Sequence, residues 1–159
     1  MSENTNLKIA LDNAIDLFNN NNLNECIEQL EEILIIHSNN LKALNMLLDI
    51  NIKINQAAEA LKIIKKLIRL EPNKKEHQEK LIKLHQFLND DQAYQSALIE
   101  FHKNFPSIQT ARIISNIHIE NDREEESDQV IQNFFESDKT YGELYKGIRH
   151  VKAGRLKLA

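Results

Sequence analysis

Cys26, Ala60 and Tyr94 stand 34 residues apart, and each opens the apolar stripe of a similar segment. The ends of those segments keep the same step, from Ser38-Asn39 to Pro72-Asn73 to Pro106-Ser107. A step of about 34 residues in a helical pattern is incompatible with a single closed core. Each unit is one helical hairpin, and its apolar face is buried only by stacking on the next hairpin. Chains built this way present long surfaces to other chains and seldom carry out chemistry themselves, so binding is the first function to weigh.

Apolar residues make up 42 % of the 159 residues, enough for a core. Three glycines, two prolines and no tryptophan leave few helix breakers. Leu, Ile, Lys, Glu and Gln favour helix over strand. The isoleucines fall at helical spacing, with no alternation of period two, and are read as core packing. The abundant asparagines are read as a compositional bias of AT-rich coding. Net charge is −4 and the isoelectric point is near 5.9. That balance argues against a nucleic-acid binder, which carries a basic surplus. Cys26 is the only cysteine, so no internal disulfide can form, and the polar start lacks the apolar stretch of a secretory leader. Both features lead us to expect a cytoplasmic protein. No apolar run reaches the ~20 residues of a membrane span.

The stripes divide the chain into hairpins over 6–38, 40–72, 74–106 and 107–139, with a partial repeat over 141–159, all in a single domain. Leu7, Leu11, Ala14 and Phe18 mark the first helix, which ends in the Asn19–Asn22 run because asparagine accepts turn geometry. Leu23, Cys26, Ile27, Leu30, Ile33 and Leu34 mark the second, with Glu25, Glu28, Glu31 and Glu32 on its other face. Hairpin two runs through Leu44, Leu47, Leu48 and Ile52, turns at Asn55-Gln56, and returns on Ala60, Leu61, Ile64, Leu67 and Ile68. Hairpin three turns at Asn89-Asp90-Asp91, and hairpin four at Asn121-Asp122, one residue short of the earlier step. Leu144, Ile148 and Val151 continue the pattern beyond Tyr141.

Catalytic and cofactor motifs are missing. There is no G-x-G-x-x-G, P-loop, H-E-x-x-H or G-x-S-x-G. His77 and His85 lie two helical turns apart, about 12 Å in rise, too far to share one metal. The histidines are therefore read as surface or half-buried residues, and no catalytic, cofactor or metal residue is assigned. Cys26 lies on an apolar stripe with no His or cation one turn away, so it is read as a buried structural thiol. The acidic run from Glu120 to Asp128 and the stripe Lys62, Lys65, Lys66 and Arg69 are read as solvated faces.

The residues of segment two resemble the tetratricopeptide (TPR) repeat family. Leu44, Leu47, Leu48 and Asn51 stand where the family places Trp, Leu, Gly and Tyr, and Ala60, Ile64 and Pro72 where it places its small residue, aromatic and closing proline. Leu48 for glycine implies more side chain between the helices of that hairpin. Tyr94 is bulky where a small residue is usual. Gly147 and Gly154 fit the family's close-approach glycine and its turn, and Ala159 its second-helix small residue. The pattern thus stops within a repeat, and we expect an N-terminal fragment of a longer protein.

The resemblance implies an all-α, right-handed superhelical solenoid of about four antiparallel helix hairpins plus a partial fifth. It implies a concave groove lined by the first helices, and a non-catalytic scaffold binding a peptide or protein partner there. Carried over by position, the contact residues are Asn45, Asp49 and Lys53, then Lys80 and Lys83, then Arg112 and Asn116, and finally Tyr145. Leu11, Ile15, Phe18, Phe87 and Ile113 fall on the same face by this reading. Family members that clamp a C-terminal carboxylate need donors where this chain has Leu11 and Ile15, and Lys80 alone matches. Two further expectations follow. One is a bacterial enzyme of glycosyltransferase or sulfotransferase type with this chain as its N-terminal region. The other is a homodimer formed through the partial repeat.

Overall fold

The structure is a computed structural model that describes residues 3–134 and Gly147. Among the described residues there are eight helices and no strand: α1 (Glu3–Asn19), α2 (Leu23–Ile36), α3 (Leu41–Lys53), α4 (Ala57–Leu70), α5 (Lys75–Phe87), α6 (Asp91–Asn104), α7 (Ile108–Glu120) and α8 (Glu124–Phe134). The chain divides into two compact units, Met1–Leu84 and His85–Ala159.

The 34-residue step is written into the backbone. Four residues other than glycine have positive φ: Asn21 (60°), Asn55 (59°), Asn89 (53°) and Asp122 (57°). Each sits at the turn inside one hairpin. The following residue donates its N–H to the carbonyl five residues back, from Asn22 to Leu17, Gln56 to Asn51, Asp90 to His85 and Arg123 to His118. The positive-φ residue itself bonds three residues back, completing a Schellman motif that satisfies carbonyls a helix end leaves open. Left-handed geometry strains most side chains, but Asn and Asp tolerate it through local hydrogen bonds. Asn21, Asn55 and Asn89 therefore hold specific backbone positions at the turns read from the sequence, so these three are more than a compositional bias.

The joints between hairpins repeat as well. His37, Glu71 and Phe105 follow helices α2, α4 and α6, and each donates its N–H at 2.8 Å to the carbonyl four residues earlier. Helix starts are capped by side chains at Asn40, Asp90 and Ser107, which accept from the N–H groups of Ala43, Ala93 and Thr110.

In the first unit, α3 is buried on two sides. Ala43, Leu47 and Ile50 join Leu11 and Ala14 of α1 and Cys26, Leu30 and Ile33 of α2 in one cluster. Leu44 and Leu48 join Ala60, Ile64 and Leu67 of α4 and Leu84 of α5 in another. Fully buried side chains such as Leu30, Leu48 and Ile64 each contribute about 1.5–3 kcal/mol by leaving water. Asn51, at the family's aromatic position, is buried too, and its Nδ2 donates to the Leu47 carbonyl at 2.7 Å.

In the second unit, Leu98 and Phe101 of α6, Ala111, Ile114 and Ile119 of α7, and Ile131 of α8 are buried. Ser115 and Ser127 are fully buried, with their hydroxyls 2.8 Å apart, and Ser127 Oγ donates to the Ser115 carbonyl. Cys26 makes the matching contact in the first hairpin, its thiol donating to the Ala14 carbonyl at 3.2 Å. Both bonds span twelve residues, linking the small residue of the second helix to the closest point on the first. The residues at the equivalent positions of hairpin two are Leu48 and Ala60, which share one cluster. The division between the two units falls within α5. Gly147 is helical, and a Cβ placed there meets no described atom within 4 Å. Gly154 and Ala159 lie outside the described residues.

The turn geometry yields a direct expectation. Asn55→Val places a β-branched residue at φ 59° and should lower unfolding free energy by about 1–2 kcal/mol. Asn55→Gly should leave it within about 0.5 kcal/mol of the parent. Urea unfolding followed by circular dichroism measures both, and equal losses would rule out strain as the cause.

Candidate functional site

α3 has a single wet strip because its other sides are used in packing. Asn45, Asp49 and Lys53 recur every four residues along it. Asn45 is half-buried and its Nδ2 donates to the Leu41 carbonyl at 2.7 Å. Asp49 and Lys53 are exposed and reach in opposite directions. Asp49 Oδ1 accepts from Lys80 Nζ of α5 at 2.6 Å. Lys53 Nζ donates to Asn21 Oδ1 at 2.7 Å and lies 5.8 Å from the centre of the Phe18 ring. The strip therefore ties α1, α3 and α5 together through side chains that remain in contact with water. Each exposed ion pair is worth at most about 1 kcal/mol, so the ties order the surface more than they stabilise the fold.

The carried-over residues are thus found in unequal situations. Lys80 is neutralised by Asp49, while Lys83 is exposed on the same helix. Arg112 and Asn116 are exposed on α7 of the second unit. Tyr145 lies outside the described residues. Leu11 is a correction: it is only 8 % exposed and belongs to the first cluster, so it is not available to a partner. Phe18 is half-buried beneath Lys53, whereas Phe87 is 62 % exposed.

The histidines also require correction. His77, His85 and His118 are buried, not surface or half-buried. At His77 a neighbour explains this. His77 Nε2 lies 2.7 Å from Glu71 Oε2, which replaces water with a carboxylate partner. His102 is half-buried, as the sequence reading has it; its Nδ1 meets Thr110 Oγ1 at 2.6 Å, and Ser107 joins the same hydroxyl at 2.9 Å. Sequence spacing could not show these partners, because they lie across helix ends. Cys26 is fully buried, as its apolar stripe implied, and burial pushes its thiol pKa up, away from reactivity. Among the described residues no group of three or more His, Cys, Asp or Glu is placed to hold a metal. No helix among them is long and apolar enough to cross a membrane.

No family model matches the sequence, and no curated protein matches it either. Solved structures do match. A crystal structure of MamA aligns over 94 % of this chain and 83 % of its own, with a TM-score of 0.61 and 15 % identity. MamA from Desulfovibrio magneticus RS-1, from residue 41 to its end, aligns over 84 % of this chain and 76 % of its own, with a TM-score of 0.56 and 13 % identity. The structure of Naa15/Naa10 bound to HypK-THB aligns over 89 % of this chain and 23 % of the matched chain, with a TM-score of 0.68 and 19 % identity. MamA is TPR-like and Naa15 contains TPR repeats. The chain has a TPR-type, all-α helical-repeat fold. Identities this low speak to fold alone.

Burial gives the stability a pH dependence with a defined sign. Burial holds the pKa of His102 and of His118 below the ordinary 6.5; at His118 the Arg123 charge adds to this and Glu126 opposes it. Below pH 6.5 the unfolded chain takes up protons that the folded chain refuses, so stability is complete above that pH and falls beneath it. Glu71 adds a second loss at lower pH, since the hydrogen bond with His77 holds its carboxyl below the usual 4.5. Thermal unfolding midpoints should be level between about pH 7 and 8 and decline below about 6.5. His118→Gln should flatten the first part of that decline, and an unchanged slope would overturn the assignment.

Proposed function

We propose that this chain is a non-catalytic interaction scaffold that binds a protein or peptide partner on the faces of its first helices. The observation that supports it is the α3 strip, where Asp49 and Lys53 stay exposed yet are held in place by α5 and α1. Polar groups fixed before binding lose less conformational entropy when a partner docks, which is how a rigid helical surface gains affinity. In the first unit the contacts are Asn45, Asp49, Lys53, Lys80 and Lys83, with Phe18 as the apolar element. In the second they are Arg112 and Asn116. The fold likeness adds support, because Naa15 appears in its structure bound to other proteins. The net negative charge and the lack of interleaved aromatics favour protein over nucleic acid.

Selection of peptides from a displayed library against the full chain tests this reading. The enriched peptides should bind Lys53→Glu/Lys83→Glu at least about tenfold more weakly, a loss of ~1.4 kcal/mol. Asp49→Ala should change affinity in the same assay by freeing Lys80. Equal affinity for all three proteins would place the binding surface elsewhere.

A further inference from the structure

The second helices of the first two hairpins carry opposite charges at matched positions. Glu28, Glu31 and Glu32 are exposed on α2; 34 residues later α4 has Lys62, Lys65 and Lys66. Glu25 adds to the acid side and Arg69 to the basic side, while α2 has no lysine or arginine at all. The two helices are neighbours in one unit: Ile63 of α4 packs on the cluster that contains α2, and Lys66 Nζ donates to the Ser38 carbonyl. Yet no described cation forms an ion pair with any of the four glutamates. Among the described residues, Lys62 alone of α4 is in an ion pair, with Glu59 of its own helix, and both side chains are more than half exposed. Ile35 and Ile36, 81 % and 72 % exposed, end the acidic helix.

We propose that this surface docks a second copy of the chain, with α2 of one protomer lying across α4 of the other. Second helices of successive hairpins run the same way, and the 34-residue register sets Glu28, Glu31 and Glu32 level with Lys62, Lys65 and Lys66. A twofold axis parallel to the helices then brings acid opposite base twice in one interface. An axis across the helices would bring acid against acid. Ile35 of each protomer meets the apolar stem of Arg69 in the other. Two helices of 14 residues are each ~21 Å long and about 10 Å apart, covering roughly 400 Å² per protomer. That is about half of a standard stable interface, so the dimer is weak, with a Kd on the order of 100 µM, and strongly dependent on salt. It uses the second helices and leaves the first-helix strip free.

Sedimentation of the full chain at about 300 µM, in about 50 mM and about 500 mM salt, tests the proposal. Dimer should form at low salt and dissociate at high salt. Glu28→Lys/Glu31→Lys and Lys62→Glu/Lys65→Glu should each be monomeric, because each repels its own copy. Mixed in equal amounts, the two should form a heterodimer, since both contacts are then complementary. Glu28→Gln/Glu31→Gln, which removes charge without reversing it, should weaken association at least threefold. A monomeric parent at low salt, variants that associate as the parent does, or a mixture that stays monomeric would each overturn the proposal. Dimers insensitive to all four substitutions would place self-association at another surface, such as residues 141–159.

Discussion

A two-helix hairpin has more apolar surface than it can bury within itself, and α3 shows how this chain resolves that. Ala43, Leu47 and Ile50 serve one cluster, and Leu44 and Leu48 the next. A helix of 13 residues used on two sides retains one narrow strip for water. The candidate binding residues Asn45, Asp49 and Lys53 are that remainder. The identity of the strip follows from which positions the clusters leave unclaimed.

The close-approach pairs show how much variation such a stack accepts. Where both residues are small, as with Ala14 and Cys26 or Ser115 and Ser127, a side chain reaches the opposite backbone carbonyl and makes a buried hydrogen bond. Where one is large, as with Leu48 and Ala60, the leucine fills the space and is itself fully buried. These three hairpins thus solve the same spatial problem with different divisions of volume. The Schellman turns vary far less, because backbone geometry allows few residues at positive φ.

Much of the fold was legible because it depends on local periodicity. The turns near Asn21, Asn55, Asn89 and Asp122, and the shorter step of the fourth hairpin, could be read from residue order. The site was less legible because its chemistry is made between repeats. Lys80 counts as a free cation in the sequence, but Asp49, 31 residues earlier, neutralises it. Leu11 resembles a groove residue by position, but cluster packing removes it from reach. His77 looked exposed because Glu71, six residues earlier, approaches it only after the chain turns into α5.

By itself, the sequence determined that this is a helical repeat with a step of about 34 residues, where its hairpins turn, and that it carries no familiar catalytic motif. Those properties depend on neighbours along the chain, through helix periodicity and turn stereochemistry. The tertiary structure alone decided which charges are paired, which histidines lie out of water, and that the acidic and basic helices are neighbours that do not ion-pair with each other. These depend on distances of a few ångströms between residues far apart in the chain, and no spacing rule contains such distances.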